Sequence, residues 1–274
     1  MIFLGKIRFD VYLLREGYFD TREKAKVAIM SGSVTFKGQR ADKPGMQVDE
    51  LKVNKDDICI APLSSKYVSR GGFKLEKAVS EFSLNLSGVV AMDVGASTGG
   101  FTDCMLQNGA AKVYAVDVGY GQFAWQLRND TRVVLMERTN IRYIDKSAVE
   151  PLDFISVDVS FISLKTVLPS LLPLIHGGSE IVCLVKPQFE AGRHNVGKNG
   201  VVRDKSVHVS VLKDVISFAL QSGLSLEGLS FSPIKGPKGN IEFLAFFRKC
   251  SRIIEFCGEY DEKISAVVEA AHCM

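Results

Sequence analysis

The 274-residue sequence lacks any long apolar run. Its most apolar late stretch, Val167 to Ile175, is short and broken by Pro169 and Pro173. The opening string MIFLGKIRFD has neither an apolar h-region nor a small-residue cleavage site, so no signal peptide and no membrane span are expected. The six cysteines (Cys59, Cys104, Cys183, Cys250, Cys257, Cys273) show no CxxC spacing, and the four histidines form no HxxxH pair. Metal frameworks and disulfide scaffolds are thereby disfavoured, and a reducing, cytoplasmic compartment is expected. A charge excess is missing too: 34 Lys and Arg face 31 Asp and Glu, a formal net charge of +3. The excess is nonetheless uneven, because the first seventy residues carry thirteen basic against nine acidic side chains, net +4, and the remainder about −1. With 46% hydrophobic and 24% charged residues, the chain can bury a sizeable core, and its length suits a large domain with a small partner.

The basic end reads as a small α/β module. Asp20 and Glu23 have capping-box spacing ahead of TREKAKVAIMSG, where Ala25, Ala28 and Ile29 recur at helical spacing and Gly32 suits the left-handed closing position. A helix over 21–31 follows, with a shorter one before it around Phe9, Leu13 and Leu14. After it, SVTFKGQR and DELKVNKDDICI alternate like small strands with Lys37-Gly38 and Asn54-Lys55-Asp56 turns. Arg8, Arg15, Arg22, Lys24 and Lys26, joined by Lys37, Arg40 and Lys43, supply enough positive charge to track a phosphate backbone. The strings Arg8-Phe9-Asp10, Thr21-Arg22-Glu23-Lys24-Ala25 and Ile29-x-x-Gly32-x-Val34-x-Phe36-x-Gly38 resemble the small RNA-binding domain first described in a ribosomal protein and found in pseudouridine synthases and tyrosyl-tRNA synthetases.

Beyond residue 62 the pattern changes. Residues 63–86 read as a linker, with Arg70 before the Gly71-Gly72 pair, and a leading helix with Leu75, Val79 and Phe82 on one face. From 87 to 250, VVAMDVG, AKVYAVDVG, TRVVLME, LDFISVD and SEIVCLVK are short β-branched runs ending in polar residues, several separated by helical stretches. That alternation is the signature of a doubly wound parallel sheet. LSLEGLSFSP and NIEFLAFFRK are joined by a loop too short for a crossover, so they pair antiparallel. The fold class is α/β: a Rossmann-like methyltransferase arrangement with a mostly parallel sheet and one antiparallel strand, plus the small N-terminal module. Residues 251–274 read as a helical tail with Ile264, Val267, Val268 and Ala271 inward.

The first strand of the sheet runs into Asp93-Val94-Gly95-Ala96-Ser97-Thr98-Gly99-Gly100-Phe101-Thr102. Glycines at a strand-to-helix turn admit a ligand to the backbone. Phe101 occupies the place of the phosphate-contacting Lys of a Walker A loop, which disfavours an ATPase. Ser97 stands where the second glycine of the dinucleotide motif belongs, which disfavours NAD. S-adenosylmethionine suits the pattern better. Asp93 and, twenty-four residues on, Asp117 are acids suited to its ribose hydroxyls and amino group. Gly95, Ser97, Thr98, Gly99, Gly100, Phe101, Asn140 after the third strand and Asp158 complete the expected cofactor contacts.

Strand order also predicts the chemistry. Asp158 and Lys186 close parallel strands, and Glu242 opens a strand that runs the other way, so all three reach one edge of the sheet. Lys74 enters from the leading helix. A hydroxyl acceptor is a poor nucleophile and needs a base, for which a neutral Lys186 amine is suited. The carboxylates then orient that amine and relay its proton. Exocyclic-amine methylation is disfavoured, since Asp158-Val159-Ser160-Phe161 lacks the two prolines it uses. Cys183 lies within a strand and faces away from Lys186, so it reads as a core residue rather than a nucleophile. Phe101, Phe161 and Phe189 are candidates for stacking or for core. AGRHNVGKNGVVRD, with Arg193, reads as a mobile basic lid or a solvated loop.

The strings SRGGFKLEKA, DVGASTGGFTD, AVDVGYGQFAWQLRND, ERTNIR, DVSFISL, LVKPQFE and GPKGNIEF, in this order behind the basic module, resemble the TlyA family of ribosomal RNA ribose methyltransferases, also called haemolysin A. The resemblance implies an FtsJ-like methyltransferase fold and 2′-O-methylation of cytidine in the small-subunit RNA alone or in both subunits. It also implies that Lys74, Asp158, Lys186 and Glu242 form the Lys-Asp-Lys-Glu tetrad of ribose methyltransferases. Ribosomal RNA or ribosomal subunits are the expected partners, with no membrane and no metal. Two other classes compete: an RNA-binding ribosome assembly factor whose cofactor domain does not turn over, and a haemolysin-type pore former.

Overall fold

Residues 5–41, 43–60, 66–250 and 252–274 are described in the computed structural model, and the chain divides into two units, residues 1–70 and 71–274. Part of the expected linker, residues 63–65, lies outside the described residues. The first unit runs β1 (Lys6–Arg8), α1 (Phe9–Arg15), α2 (Arg22–Ser31), β2 (Val34–Phe36), β3 (Gln39–Arg40), β4 (Gln47–Asp49) and β5 (Ile58–Ile60). β1 pairs antiparallel with β4, and β3, β2 and β5 make a second antiparallel sheet. Both helices turn one stripe inward, so that Phe9, Leu13, Ala25, Ala28 and Ile29 are all fully buried, as is Val34 of β2.

Two local expectations change. The cap of α2 is Thr21, whose extended backbone places its hydroxyl to accept from Lys24 N at 3.2 Å. Asp20 lies one residue too early for that role and instead accepts from Lys24 Nζ at 2.6 Å. Gly32 does close the helix, at φ +80°. DELKVNKDDICI turns after Asn54 as expected, but a further turn over 50–52 leaves it extended only at its ends. Asp49 accepts from Leu51 N and Asp57 from Asn54 N, and these short polar side chains curl residues 50–52 and 55–57 into 3₁₀ turns.

The second unit opens with α3 (Gly71–Glu81) and continues β6 (Val90–Val94), α4 (Gly100–Gln107), β7 (Lys112–Val116), α5 (Trp125–Arg128), β8 (Val133–Met136), β9 (Leu152–Val157) and α6 (Leu164–Leu171). It ends with β10 (Ile175–Val185), α7 (Pro187–Glu190), α8 (Lys205–Gln221), β11 (Leu224–Phe231), β12 (Phe243–Lys249) and α9 (Gly258–His272). The seven strands lie in the order β11-β12-β10-β9-β6-β7-β8. β6 to β10 are parallel, and β12 inserts antiparallel between β10 and β11. Phe243 to Phe247 are all buried, as expected of an inner strand covered on both faces. The chain leaves β6 toward β7 and β8, then returns to place β9 on the other side of β6. That reversal opens a crevice beyond the carboxyl ends of β6 and β9.

The tail is the expected helix, and α9 buries Ile264, Val268 and Ala271 in the core that it shares with α8. At its end His272 Nε2 lies 2.9 Å from Nδ1 of the fully buried His208. Burial, and then the neighbouring His272, push the His208 imidazole down to about 4, against smaller opposing effects of the Val202 backbone and Asp204. The unfolded imidazole therefore takes up its proton first as pH falls, and stability is lost from about pH 6.5 down to about 4. Between pH 7 and 4.5 the loss from this group is about 2 kcal/mol. Urea melts at the two pH values should show that much less acid sensitivity in His208→Gln than in the wild type.

Candidate active site

The crevice is shaped by the turn after β6. Gly95, Ser97 and Gly99 have φ of +87°, +48° and +92°, so the backbone turns three times through the left-handed region. At Gly95 a Cβ would strike the carbonyl oxygen of Asp158, the residue that follows β9. The β6 and β9 loops therefore touch backbone to backbone, held also by Asp158 N donating to Val94 O at 2.9 Å. Beside them lies a cleft of about 470 Å³, in the size range of small-molecule sites. Gly95, Ser97, Asp117, Thr139, Asn140 and Asp158 supply its polar groups; Val116, Val118, Ile141, Val159 and Ile162 form apolar walls.

The expected cofactor residues divide into two sets. Gly95, Ser97, Asp117, Asn140 and Asp158 line the cleft. Asp117 accepts from Ser97 N (2.7 Å) and Gly119 N (2.6 Å), one bond per oxygen, which leaves acceptor capacity on each. Asn140 spends its carbonyl on Arg142 N at 3.1 Å, so its amide hydrogens are what it has to offer a ligand. Asp93, Thr98, Gly99, Gly100 and Phe101 are not among the lining residues. Asp93 is buried and accepts from Thr102 N, Thr102 Oγ1 and Ser156 Oγ, which moors α4 to β6. Burial pushes its carboxyl up to about 7. Gly99 avoids a clash with Leu127 Cδ1, which would lie 2.5 Å from a Cβ, and Phe101 is core.

At the Asp158 end of the cleft the four expected reactive residues meet. Lys186 Nζ lies 2.5 Å from Asp158 Oδ1, and Lys74 Nζ lies 3.9 Å from Asp158 Oδ2. Lys74 Nζ also donates to Glu242 Oε2 at 2.7 Å, across 168 residues of sequence. All but Asp158 are under a tenth exposed. Two cations and two anions thus balance in a poorly solvated cluster, the only condition under which such burial is tolerable. Burial works to raise the Asp158 carboxyl, but Lys186 and then Lys74 outweigh it and hold the group below the usual carboxylate range. The loop before β12 packs tightly on this cluster: a Cβ on Gly236 would lie 2.7 Å from Glu242 Oε1. Cys183 is fully buried, and burial drives its thiol upward, in keeping with a core role.

Sequence reasoning did not single out Ser160 or Glu190. Ser160 Oγ accepts from Lys186 Nζ at 3.0 Å. Glu190 accepts from Ser163 Oγ (2.6 Å) and Leu164 N (2.7 Å), which ties the loop after β9 to the segment after Lys186. Between these ties Phe161 sits at φ +64° and is 91% exposed, its ring 4.9 Å from that of Phe189. A large aromatic side chain held in the left-handed region and presented to solvent is costly in both respects.

The expected RNA contacts are partly engaged within the protein. Arg8 and Arg22 both pair with the fully buried Asp10, at 3.0 Å. Arg15 pairs with Glu50, Lys24 with Asp20 and Lys26 with Glu23. These side chains remain between about a third and three-fifths exposed, so the charge stays at the surface. The side chain of Arg40 lies outside the description. Arg70 is half-buried and Arg193 exposed. The loop around Arg193 is anchored rather than open: Asn240 accepts from Val202 N (3.0 Å) and donates to Gly200 O (2.9 Å).

A family model described as FtsJ-like methyltransferase matches residues 67–249, and one described as S4 domain matches residues 7–50. The chain is 51% identical over 273 residues to the protein named YqxC of Bacillus subtilis, covering 97% of this chain and 94% of the relative. It is 41% identical over 244 residues to the 16S/23S rRNA (cytidine-2'-O)-methyltransferase TlyA of Mycobacterium tuberculosis, covering 89% and 90%. A solved structure from Streptococcus thermophilus, named as a hemolysin, matches with a TM-score of 0.77 at 46% identity over 98% of this chain and 97% of that one.

Proposed function

The chain belongs to the FtsJ-like methyltransferase family, and from that footing we propose that it methylates the 2′-hydroxyl of cytidine in ribosomal RNA with S-adenosylmethionine as donor. The observation that carries this reading is the meeting of Lys74, Asp158, Lys186 and Glu242 at one end of a small-molecule cleft. The cleft suits the donor: its glycine-walled turn admits a ligand to the backbone, Asp117 has acceptor capacity for ribose hydroxyls, and Asn140 can donate to a base edge. When bound, the donor supplies an electrophilic methyl on sulfur. With a donor so bound, the Lys186 amine would take the proton of the attacking 2′-hydroxyl.

The protein's part is to hold and to deprotonate. Asp158 and Ser160 hold Lys186 Nζ, and Glu242 anchors Lys74 beside Asp158. Phe161 offers an unpaired base a stacking face next to the cluster. Orientation in such a site contributes on the order of 7 to 11 kcal/mol, and base catalysis about 10² to 10⁴-fold. The S4 domain supplies an exposed basic surface for the RNA backbone.

Tritiated methyl transfer to purified small subunits, large subunits and naked ribosomal RNA, followed by digestion to nucleosides, tests the proposal. Ribose-methylated cytidine is the expected product; donor binding without transfer to any RNA would favour the assembly-factor reading. A second measurement concerns the RNA surface. Lys24→Ala with Lys26→Ala should weaken RNA binding and flatten the dependence of log affinity on log salt by roughly two charges' worth, with little change in melting, because exposed pairs contribute about 0 to 1 kcal/mol. Unchanged salt dependence would return this helix face to simple solvation.

A further inference from the structure

The ammonium of Lys186 has three hydrogens, and the active amine has two hydrogens and one lone pair. Which way the lone pair points is a question of geometry. With one acceptor, the amine turns about its Cε–Nζ bond and the lone pair sweeps a cone. With two fixed acceptors, both N–H bonds are committed and the lone pair has one direction left. Asp158 Oδ1 is the ion-pair partner that fixes the nitrogen, at 2.5 Å. Ser160 Oγ, at 3.0 Å, is the second contact and the one with hydrogen-bond geometry.

We propose that Ser160 is a positioning residue for methyl transfer, the second acceptor that fixes the Lys186 amine so that its lone pair faces the reacting hydroxyl. This rests on the proposed ribose methylation and adds a fifth residue to its machinery. Ser160 is itself held in place. Its loop is tied at one end by Asp158 N to Val94 O (2.9 Å) and at the other by Ser163 and Leu164 to Glu190, four residues after Lys186. Acceptor and amine are thereby carried on segments bolted to one another. The Phe161 backbone at φ +64° directly after Ser160 shows that the loop is held in a conformation its own residues do not prefer. Ser160 also lines the cleft and is exposed on the side away from Lys186, so its side chain contributes little packing.

The test uses the full chain with ribosomal subunits as acceptor. Wild type, Ser160→Ala and Ser160→Thr are compared by steady-state methyl transfer from pH 6 to 10, donor binding by calorimetry, and melting temperature. Ser160→Ala is expected to lower kcat by about 10- to 100-fold, with the RNA KM and donor Kd within about twofold. The loss of kcat should persist across the pH range. Ser160→Thr, which keeps the hydroxyl, should recover most of kcat. An active wild type together with an unaltered kcat in Ser160→Ala overturns the proposal, as does a loss confined to KM or donor binding. A wild type that transfers no methyl to any RNA overturns the ribose methylation reading, and this inference with it.

Discussion

Lys186→Met is expected to lower single-turnover methyl transfer by at least about 10³-fold while donor affinity changes by no more than a few-fold. Methionine nearly matches the length of lysine, so the substitution removes the amine and not the volume. The loss falls in the upper part of the base contribution, about 10² to 10⁴-fold, because the amine also organises its neighbours. Without it Asp158 keeps Lys74 as its cation, at 3.9 Å rather than 2.5 Å, and Ser160 loses its donor. The donor cleft, by contrast, is lined by Gly95, Ser97, Asp117 and Asn140 and not by Lys186. Single-turnover rates and calorimetric binding on the same preparation separate the two effects. A variant that methylates within tenfold of wild type would remove Lys186 from proton transfer. One that fails to bind the donor would make its role structural.

Three of the four reactive candidates were legible because strand topology alone orders them. Parallel strands deliver their last residues to one edge, and an antiparallel strand delivers its first residue there, so Asp158, Lys186 and Glu242 follow from strand direction without knowledge of side-chain conformation. The glycine turn was legible for a similar reason, since positive φ at Gly95 and Gly99 needs glycine. Which members of that turn reach a ligand was not. Asp93 and Asp117 both follow the pattern of an acid at a strand end, yet Asp93 is consumed by Thr102 and Ser156, and only the three-dimensional path of α4 decides this.

Hydrogen-bond partners distant in sequence were the other blind spot. The arginines expected on RNA include two that brace Asp10, and no spacing rule links Arg22 to a carboxylate twelve residues earlier. Ser160 gave no signal at all, because one serine in a loop is ordinary until Lys186 arrives from the next strand. Thr21 was legible in principle: an acceptor three residues before Lys24 N is as good a cap as Asp20, and the choice between neighbours depends on which backbone is still extended.

Gly95→Ala should be strongly damaging, and Gly121→Ala shows why backbone strain is only part of it. Both glycines lie at positive φ, +87° and +74°, and alanine there costs about 1 to 2 kcal/mol in either place. At Gly121 a Cβ meets nothing within 4 Å, so that cost is the whole effect and donor binding should be nearly unchanged. At Gly95 the Cβ meets the Asp158 carbonyl, a backbone atom that moves only if its loop moves. That loop carries Asp158 and Ser160, which hold Lys186, so one methyl displaces the donor turn and the base together. The expected result is a stability loss of about 2 to 4 kcal/mol, donor affinity lower by at least about tenfold, and transfer lower by more than about 10³-fold. Denaturant melts, calorimetry and methyl transfer on the two variants check this. If Gly95→Ala behaves like Gly121→Ala in all three, the contact between the β6 and β9 loops is not what builds the cleft. If it melts normally but fails only in transfer, the contact serves the placement of Asp158 and not the donor.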